Sequence, residues 1–113
     1  MKFGIHENII KEINKVFADF PEVEEAVIYG SRAKGNNKPG SDIDLILRGN
    51  KLNLSILNKI DVRLDDLLLP YTFDLSIFNH INDKDLIDHI SSRGVTFYKR
   101  EKTVIDLPVG RQV

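Results

Sequence analysis

Apolar positions near the start of the chain follow a helical rhythm. Ile9, Ile10, Ile13, Val16, Phe17 and Phe20 recur three and four residues apart, which places them on one face of an α-helix. Pro21 disfavours helical geometry at the residue before it, so this amphipathic helix is expected to end near Phe20. The period then changes. Glu25-Ala26-Val27-Ile28-Tyr29 is short, β-prone and stopped by Gly30, as a strand would be. Gly35 to Gly40, Gly-Asn-Asn-Lys-Pro-Gly, is turn chemistry throughout. Ile43 to Leu47 reads as a second strand closed by Gly49-Asn50. Ile56, Ile60, Leu64 and Leu67 or Leu68 mark a second long helix stopped near Pro70. Thr72 to Phe78 is a third strand. Asn82 or Asp83 can cap a third helix carrying Leu86, Ile87 and Ile90, which Gly94 can close. Val95 to Tyr98 is a last short strand. No strong period survives beyond Glu101, and Lys102 to Val113, with Pro108 and Gly110, is expected to be a loosely attached arm. The order is helix, strand, strand, helix, strand, helix, strand. It predicts an α/β (α+β) fold with one mixed sheet flanked by helices.

The 113 residues suit one domain, read as 1–100 with a tail over 101–113. A domain of this size buries roughly two-thirds of the surface its unfolded chain exposes, so one real core is expected, with little room for a separate substrate-binding domain. Sixteen basic residues against seventeen acidic ones give a net charge of -1, which lacks the basic footprint of a nucleic-acid binder. The basic residues Arg32, Lys34 and Lys38 nevertheless cluster locally. There is no cysteine, so disulfides and thiolate metal sites are excluded. No apolar run approaches a membrane span, and the first residues lack the apolar core of a signal peptide. A soluble, cytoplasmic protein is expected.

The chemistry concentrates in two short stretches, Gly30-Ser31-Arg32-Ala33-Lys34-Gly35 and Ser41-Asp42-Ile43-Asp44-Leu45. Residues two apart in a strand share a face. Asp42 and Asp44 therefore project together while Ile43, Leu45 and Leu47 enter the core. Adjacent carboxylates repel unless a cation lies between them, and oxygen-only ligands suit magnesium, which also takes phosphate oxygens. Asp74 faces opposite to Phe73, Leu75 and Ile77, and would complete a three-carboxylate cluster if its strand neighbours the second. Gly30 lets backbone approach a ligand closely. Ser31 and the amides of a helical turn can hold phosphate oxygens, with Arg32 and Lys34 adding charge. A lone Asp-x-Asp is more often a solvated strand face, and a lone Gly-Ser is usually a turn. The joint order carries the argument: a strand ending in Gly-Ser, ten intervening residues, Asp-x-Asp opening a second strand, and a third Asp within a later apolar strand.

That order resembles the DNA polymerase β-like nucleotidyltransferase superfamily, and within it the minimal nucleotidyltransferases called MNT. The likeness rests on Gly30-Ser31, Asp42-Ile43-Asp44 and Asp74, and covers roughly residues 5 to 100. It implies that Asp42 and Asp44 ligate two Mg2+ ions, that Asp74 binds one of them near the attacking hydroxyl, and that Gly30 and Ser31 hold the triphosphate of ATP. Asp74 can also be read as the proton acceptor, although ligation alone would serve. The resemblance further implies transfer of AMP with release of pyrophosphate, and a small helical HEPN ribonuclease toxin as partner. In such a pair the nucleotidyltransferase acts as a type VII-like antitoxin, adding AMP to a toxin tyrosine. Two other readings stand beside this one: a non-catalytic antitoxin that neutralises by binding, and a nucleotidyltransferase for a small-molecule hydroxyl.

Other residues draw less weight. His6, His80 and His89 lack metal-ligand spacing. Tyr29 reads as a core or pocket-wall residue. Asp61, Asp65 and Asp66 look like the solvated face of the second helix, and Asp83, Asp85 and Asp88 suit the start of the third, where negative charge is favoured.

Overall fold

The structure is a computed structural model that describes residues 1–38 and 40–101. The elements run α1 (Glu7–Ala18), β1 (Glu25–Tyr29), α2 (Ser31–Lys34), β2 (Ile43–Arg48), α3 (Leu54–Asp65), β3 (Phe73–Ile77), a 3-10 turn (Phe78–His80), α4 (Lys84–Arg93) and β4 (Val95–Lys99). The four strands form one mixed sheet in the order β3-β2-β1-β4. β1 is antiparallel to both β2 and β4, whereas β2 and β3 are parallel. A parallel pair needs a long crossover, and α3 supplies it. The fold is thus the mixed α+β domain that the order of elements predicts.

Strand alternation sorts the side chains onto two faces. Ala26, Ile28, Ile43, Leu45, Leu47 and Ile77 enter the main core against Ile13, Val16 and Phe17 of α1 and Ile60 and Leu64 of α3. Each such fully buried side chain contributes about 1.5–3 kcal/mol relative to exposure. On the other face Val27 and Ile46 pack under Ile90 of α4, with Tyr29, Phe78, Ile81 and Leu86 at the margin. This second cover is small and stops at Tyr29. Asp44 and Asp74 lie on the same face beyond it, half-buried and exposed respectively.

Local chemistry explains most element ends. Asn53 caps α3 by accepting from the Ile56 N–H at 2.9 Å, and Asp83 caps α4 by accepting from Asp85 and Leu86. α1 has no side-chain cap at its start. At its end the Arg100 guanidinium donates to the carbonyls of Phe20 at 2.9 Å, Val23 at 3.1 Å and Ala18 at 3.3 Å.

Two boundaries differ from expectation. α3 ends at Asp65 rather than near Pro70, because the chain must reverse to bring β3 alongside β2. Leu67 and Leu69 still pack on the core. Leu68 sits at φ 54 and is 89% exposed, so the leucine run is not one helical stripe. Gly94 does follow α4, but at φ -70 it is no left-handed cap. It is small for packing reasons: a Cβ there would lie 2.6 Å from both the Ile90 carbonyl and Val27. The arm expected from Lys102 onward lies outside the described residues. Among the described residues no helix is long and apolar enough to cross a membrane.

Candidate active site

Gly30 ends β1 with φ 80 and ψ -154, a conformation essentially reserved for glycine. It turns the chain sharply into α2, whose leading amides lack partners inside the helix, as those of any first turn do. Ser31 opens that turn and is half-buried, and Lys34 is exposed at its end. Gly35, at φ 80 and ψ 9, closes it in the left-handed region. The returning loop is pinned by Ser41, whose hydroxyl donates to the Lys38 carbonyl at 2.7 Å and accepts from the Lys38 amide at 3.1 Å.

The three aspartates converge on the end of the sheet beside this turn. Asp44 is flanked in register by Tyr29 of β1 and by Asp74 of β3. Parallel pairing of β2 with β3 therefore sets two carboxylates on neighbouring strands, on one face. A Cβ at Gly30 would stand 3.0 Å from Asp44 Oδ2, so the glycine turn and the central carboxylate are in direct contact. Asp42 precedes β2 and is exposed. Its Oδ1 accepts a hydrogen bond from the Thr72 hydroxyl, and Ile43 N–H donates to the Thr72 carbonyl at 2.9 Å. These two bonds join the segments leading into β2 and β3.

Electrostatics mark Asp44 as the centre of the cluster. Burial, then the charges of Asp74 and Asp42, push its carboxyl above the usual carboxylate range, and Arg32 opposes them. Burial, then Asp44 and Asp74, also push the Tyr29 phenol above its ordinary value, so Tyr29 is neutral near pH 7. Negative charge gathered at one spot is the chemistry of a cation site. The all-oxygen donor set fits magnesium in kind. It is not drawn together as a cage: among the described residues no three acidic or histidine side chains stand at metal-holding distance, and Asp42 is engaged with Thr72.

Arg32 occupies a different place from the one its charge suggests. It is 3% exposed. Nε and Nη2 donate to the Ser41 carbonyl at 3.1 and 2.7 Å, and Nη1 donates to the Phe3 carbonyl at 3.0 Å. Its guanidinium lies 5.1 Å from the centre of the Tyr71 ring. Sequence reasoning did not single out Thr72 or Tyr71 for the site, since each meets its partner there only across the fold. Tyr29, just ahead of Gly30, was the one residue with a readable signal. His6 and His80 are exposed and His89 is half-buried. An apolar groove lined by Phe20, Asn58, Lys59, Val62 and Arg63 lies on the α3 side of the molecule, away from the carboxylates.

Residues 11–103 match the family model described as Polymerase beta, Nucleotidyltransferase. Solved structures share the fold at low identity. A chain from a toxin–antitoxin crystal structure with AMP-PNP has a TM-score of 0.66 at 19% identity, with 81% of this chain and 74% of that chain covered. A chain from an MntA–HpeT toxin–antitoxin mutant, with two aspartates two positions apart changed to glutamate, has a TM-score of 0.65 at 17% identity, with coverage of 81% and 74%. A chain from the complex of the tri-AMPylated Shewanella oneidensis HEPN toxin with the MNT antitoxin has a TM-score of 0.63 at 16% identity, with coverage of 85% and 74%. No curated protein matches the chain.

Proposed function

The chain belongs to the polymerase β nucleotidyltransferase family, and we propose that it transfers AMP from ATP to a hydroxyl, a tyrosine of a HEPN toxin that it restrains as an antitoxin. The observation that carries this reading is the in-register placement of Asp44 beside Asp74, against the Gly30–Ser31 turn. Asp44 and Asp74 set like charges side by side on neighbouring strands, an arrangement that works against folding by itself. The arrangement has a purpose if a divalent cation and a triphosphate are to be held together.

In this reading the amides and hydroxyl of the Gly30–Ser31 turn bind the phosphates, and Lys34 adds charge from the rim. Asp42 and Asp44 would hold two magnesium ions, with Asp74 holding one of them. Bound there, magnesium would stabilise the entering and leaving oxygens of an in-line displacement. The acceptor hydroxyl oxygen bonds to the α-phosphorus, the α–β bridging bond breaks, and pyrophosphate leaves. The hydroxyl proton passes to solvent or to Asp74, which is exposed beside Asp44. The residues mainly position groups and balance charge, as in phosphoryl transfer generally. The open sheet end leaves room for a protein side chain to approach. The AMPylated HEPN toxin bound to an MNT antitoxin supports the choice of acceptor, and AMP-PNP in a related complex supports the choice of nucleotide.

The test is to incubate the chain with a HEPN protein encoded beside it, ATP and magnesium, and to weigh the HEPN protein by intact mass spectrometry. AMP adducts on a tyrosine are expected with the native chain and not with Asp44→Asn. Absence of adducts with the native chain, or equal adducts with Asp44→Asn, would overturn the proposal. Toxin neutralisation by Asp44→Asn without ATP would instead indicate restraint by binding alone.

A further inference from the structure

Arg32 lies in the phosphate-side turn but gives its donors to the Ser41 and Phe3 carbonyls. We infer that Arg32 is a positioning residue for the cation-binding carboxylates, acting through the Ser41 carbonyl and the Tyr71 ring rather than through the nucleotide; this rests on the function proposed above. Three segments meet on its guanidinium. The N-terminal turn closes on it from one side: Phe3 O accepts from Nη1 at 3.0 Å, and a Cβ at Gly4 would stand 3.1 Å from that nitrogen. Ser41 O accepts from Nε and Nη2, and Ser41 immediately precedes Asp42. The guanidinium carbon sits over the Tyr71 ring, 5.1 Å from its centre, and Tyr71 immediately precedes Thr72, which donates to Asp42.

The arrangement makes Arg32 the common anchor of the two segments that enter β2 and β3. Those segments set how far Asp42 stands from the Asp44–Asp74 pair. A planar fork gripping one carbonyl through two nitrogens, while sitting over an aromatic ring, is a role that lysine cannot reproduce. At 3% exposure the guanidinium cannot reach a bound triphosphate without abandoning its bonds. Its effect on function is therefore expected through cation affinity and not through direct phosphate contact.

Calorimetric binding of AMP-PNP to the full chain, titrated over MgCl2 concentration, separates these cases. Arg32→Lys is the main variant, and Tyr71→Leu removes the aromatic ring under the guanidinium while keeping an apolar side chain against the core. Arg100→Lys is the control, because Arg100 also grips main-chain carbonyls but at the opposite end of β1, beside Val23 and Phe20. Removing groups that orient metal ligands typically weakens metal affinity about 10–100-fold. Arg32→Lys should raise the half-saturating magnesium concentration by about that factor, with the loss recovered at high magnesium. Tyr71→Leu should shift it in the same direction by less, and carries the test if Arg32→Lys fails to fold. Arg100→Lys should lower the melting temperature and leave the magnesium requirement unchanged. Unchanged magnesium requirements in Arg32→Lys and Tyr71→Leu, or a loss of AMP-PNP in Arg32→Lys that no magnesium concentration restores, would overturn the inference. A native chain that binds no AMP-PNP at any magnesium concentration would overturn the underlying function and this inference with it.

Discussion

Replacing Gly30 with alanine tests whether the glycine turn and the central carboxylate form one unit. Two physical effects act at this position. The backbone sits at φ 80 and ψ -154, and holding a residue with a side chain there costs on the order of 1–3 kcal/mol. The new methyl would also lie 3.0 Å from Asp44 Oδ2, so the carboxylate must give by a few tenths of an ångström. Gly35 supplies the control. It has a similar φ of 80 in the left-handed region, but a Cβ there meets nothing within 4 Å. Gly35→Ala should therefore cost only the left-handed penalty, about 1–2 kcal/mol. At this chain length each kcal/mol lowers Tm by roughly 4 °C. Calorimetry should thus show both variants melting several degrees below the native protein. Their activities should part, because only Gly30→Ala displaces Asp44. A misplacement of 1 Å at a reacting centre can cost about 100-fold in rate, so a shift of a few tenths of an ångström should cost Gly30→Ala about 4- to 10-fold in AMP transfer. Gly35→Ala should stay near the native rate. Native turnover in Gly30→Ala, or an equal loss in Gly35→Ala, would refute the reasoning.

Other outcomes follow from the same structure. Burial, Asp74 and Asp42 raise the Asp44 carboxyl above the ordinary carboxylate range, so its contribution to stability is fully present below the unfolded value and is lost as pH rises through the higher folded one. In EDTA near pH 7, Asp44→Asn should accordingly melt above the native chain and flatten the acidic part of the stability profile, and a lower melting point would contradict this. Arg100→Ala should lose about 1.5–3 kcal/mol in urea unfolding, since the guanidinium satisfies carbonyls at the end of α1. Asp19→Asn breaks the 2.7 Å pair with Arg63, but both side chains are about half exposed, so the unfolding free energy measured in urea should fall by about 1 kcal/mol or less.

The faces of the strands were legible because alternation is local. Ile43, Leu45 and Leu47 face one way and Asp44 the other whatever the neighbours are, and Glu25–Tyr29 is the strand its composition predicts. The cap at Asp83 was equally readable, since it depends on residues within one turn. The end of α3 was less so. Leu67, Leu68 and Leu69 fit a helical stripe as well as a turn, and the need to lay β3 parallel to β2 decided between them.

Within the site, the spacing of Gly30-Ser31, Asp42-Ile43-Asp44 and Asp74 made the glycine turn and the shared face of the carboxylates legible, because residue type and strand period are properties of the chain itself. Charge alone could not assign Arg32. Its identity suggests a phosphate ligand, yet its partners are carbonyls nine and twenty-nine residues away along the chain and a ring on a third segment. Asp42's bond to Thr72 and the pairing of Asp44 with Asp74 are likewise contacts between segments distant in sequence. Short-range preferences thus determined which groups are present and which way each one faces. Only strand pairing and burial decided which of them meet, because both depend on the whole chain packing at once.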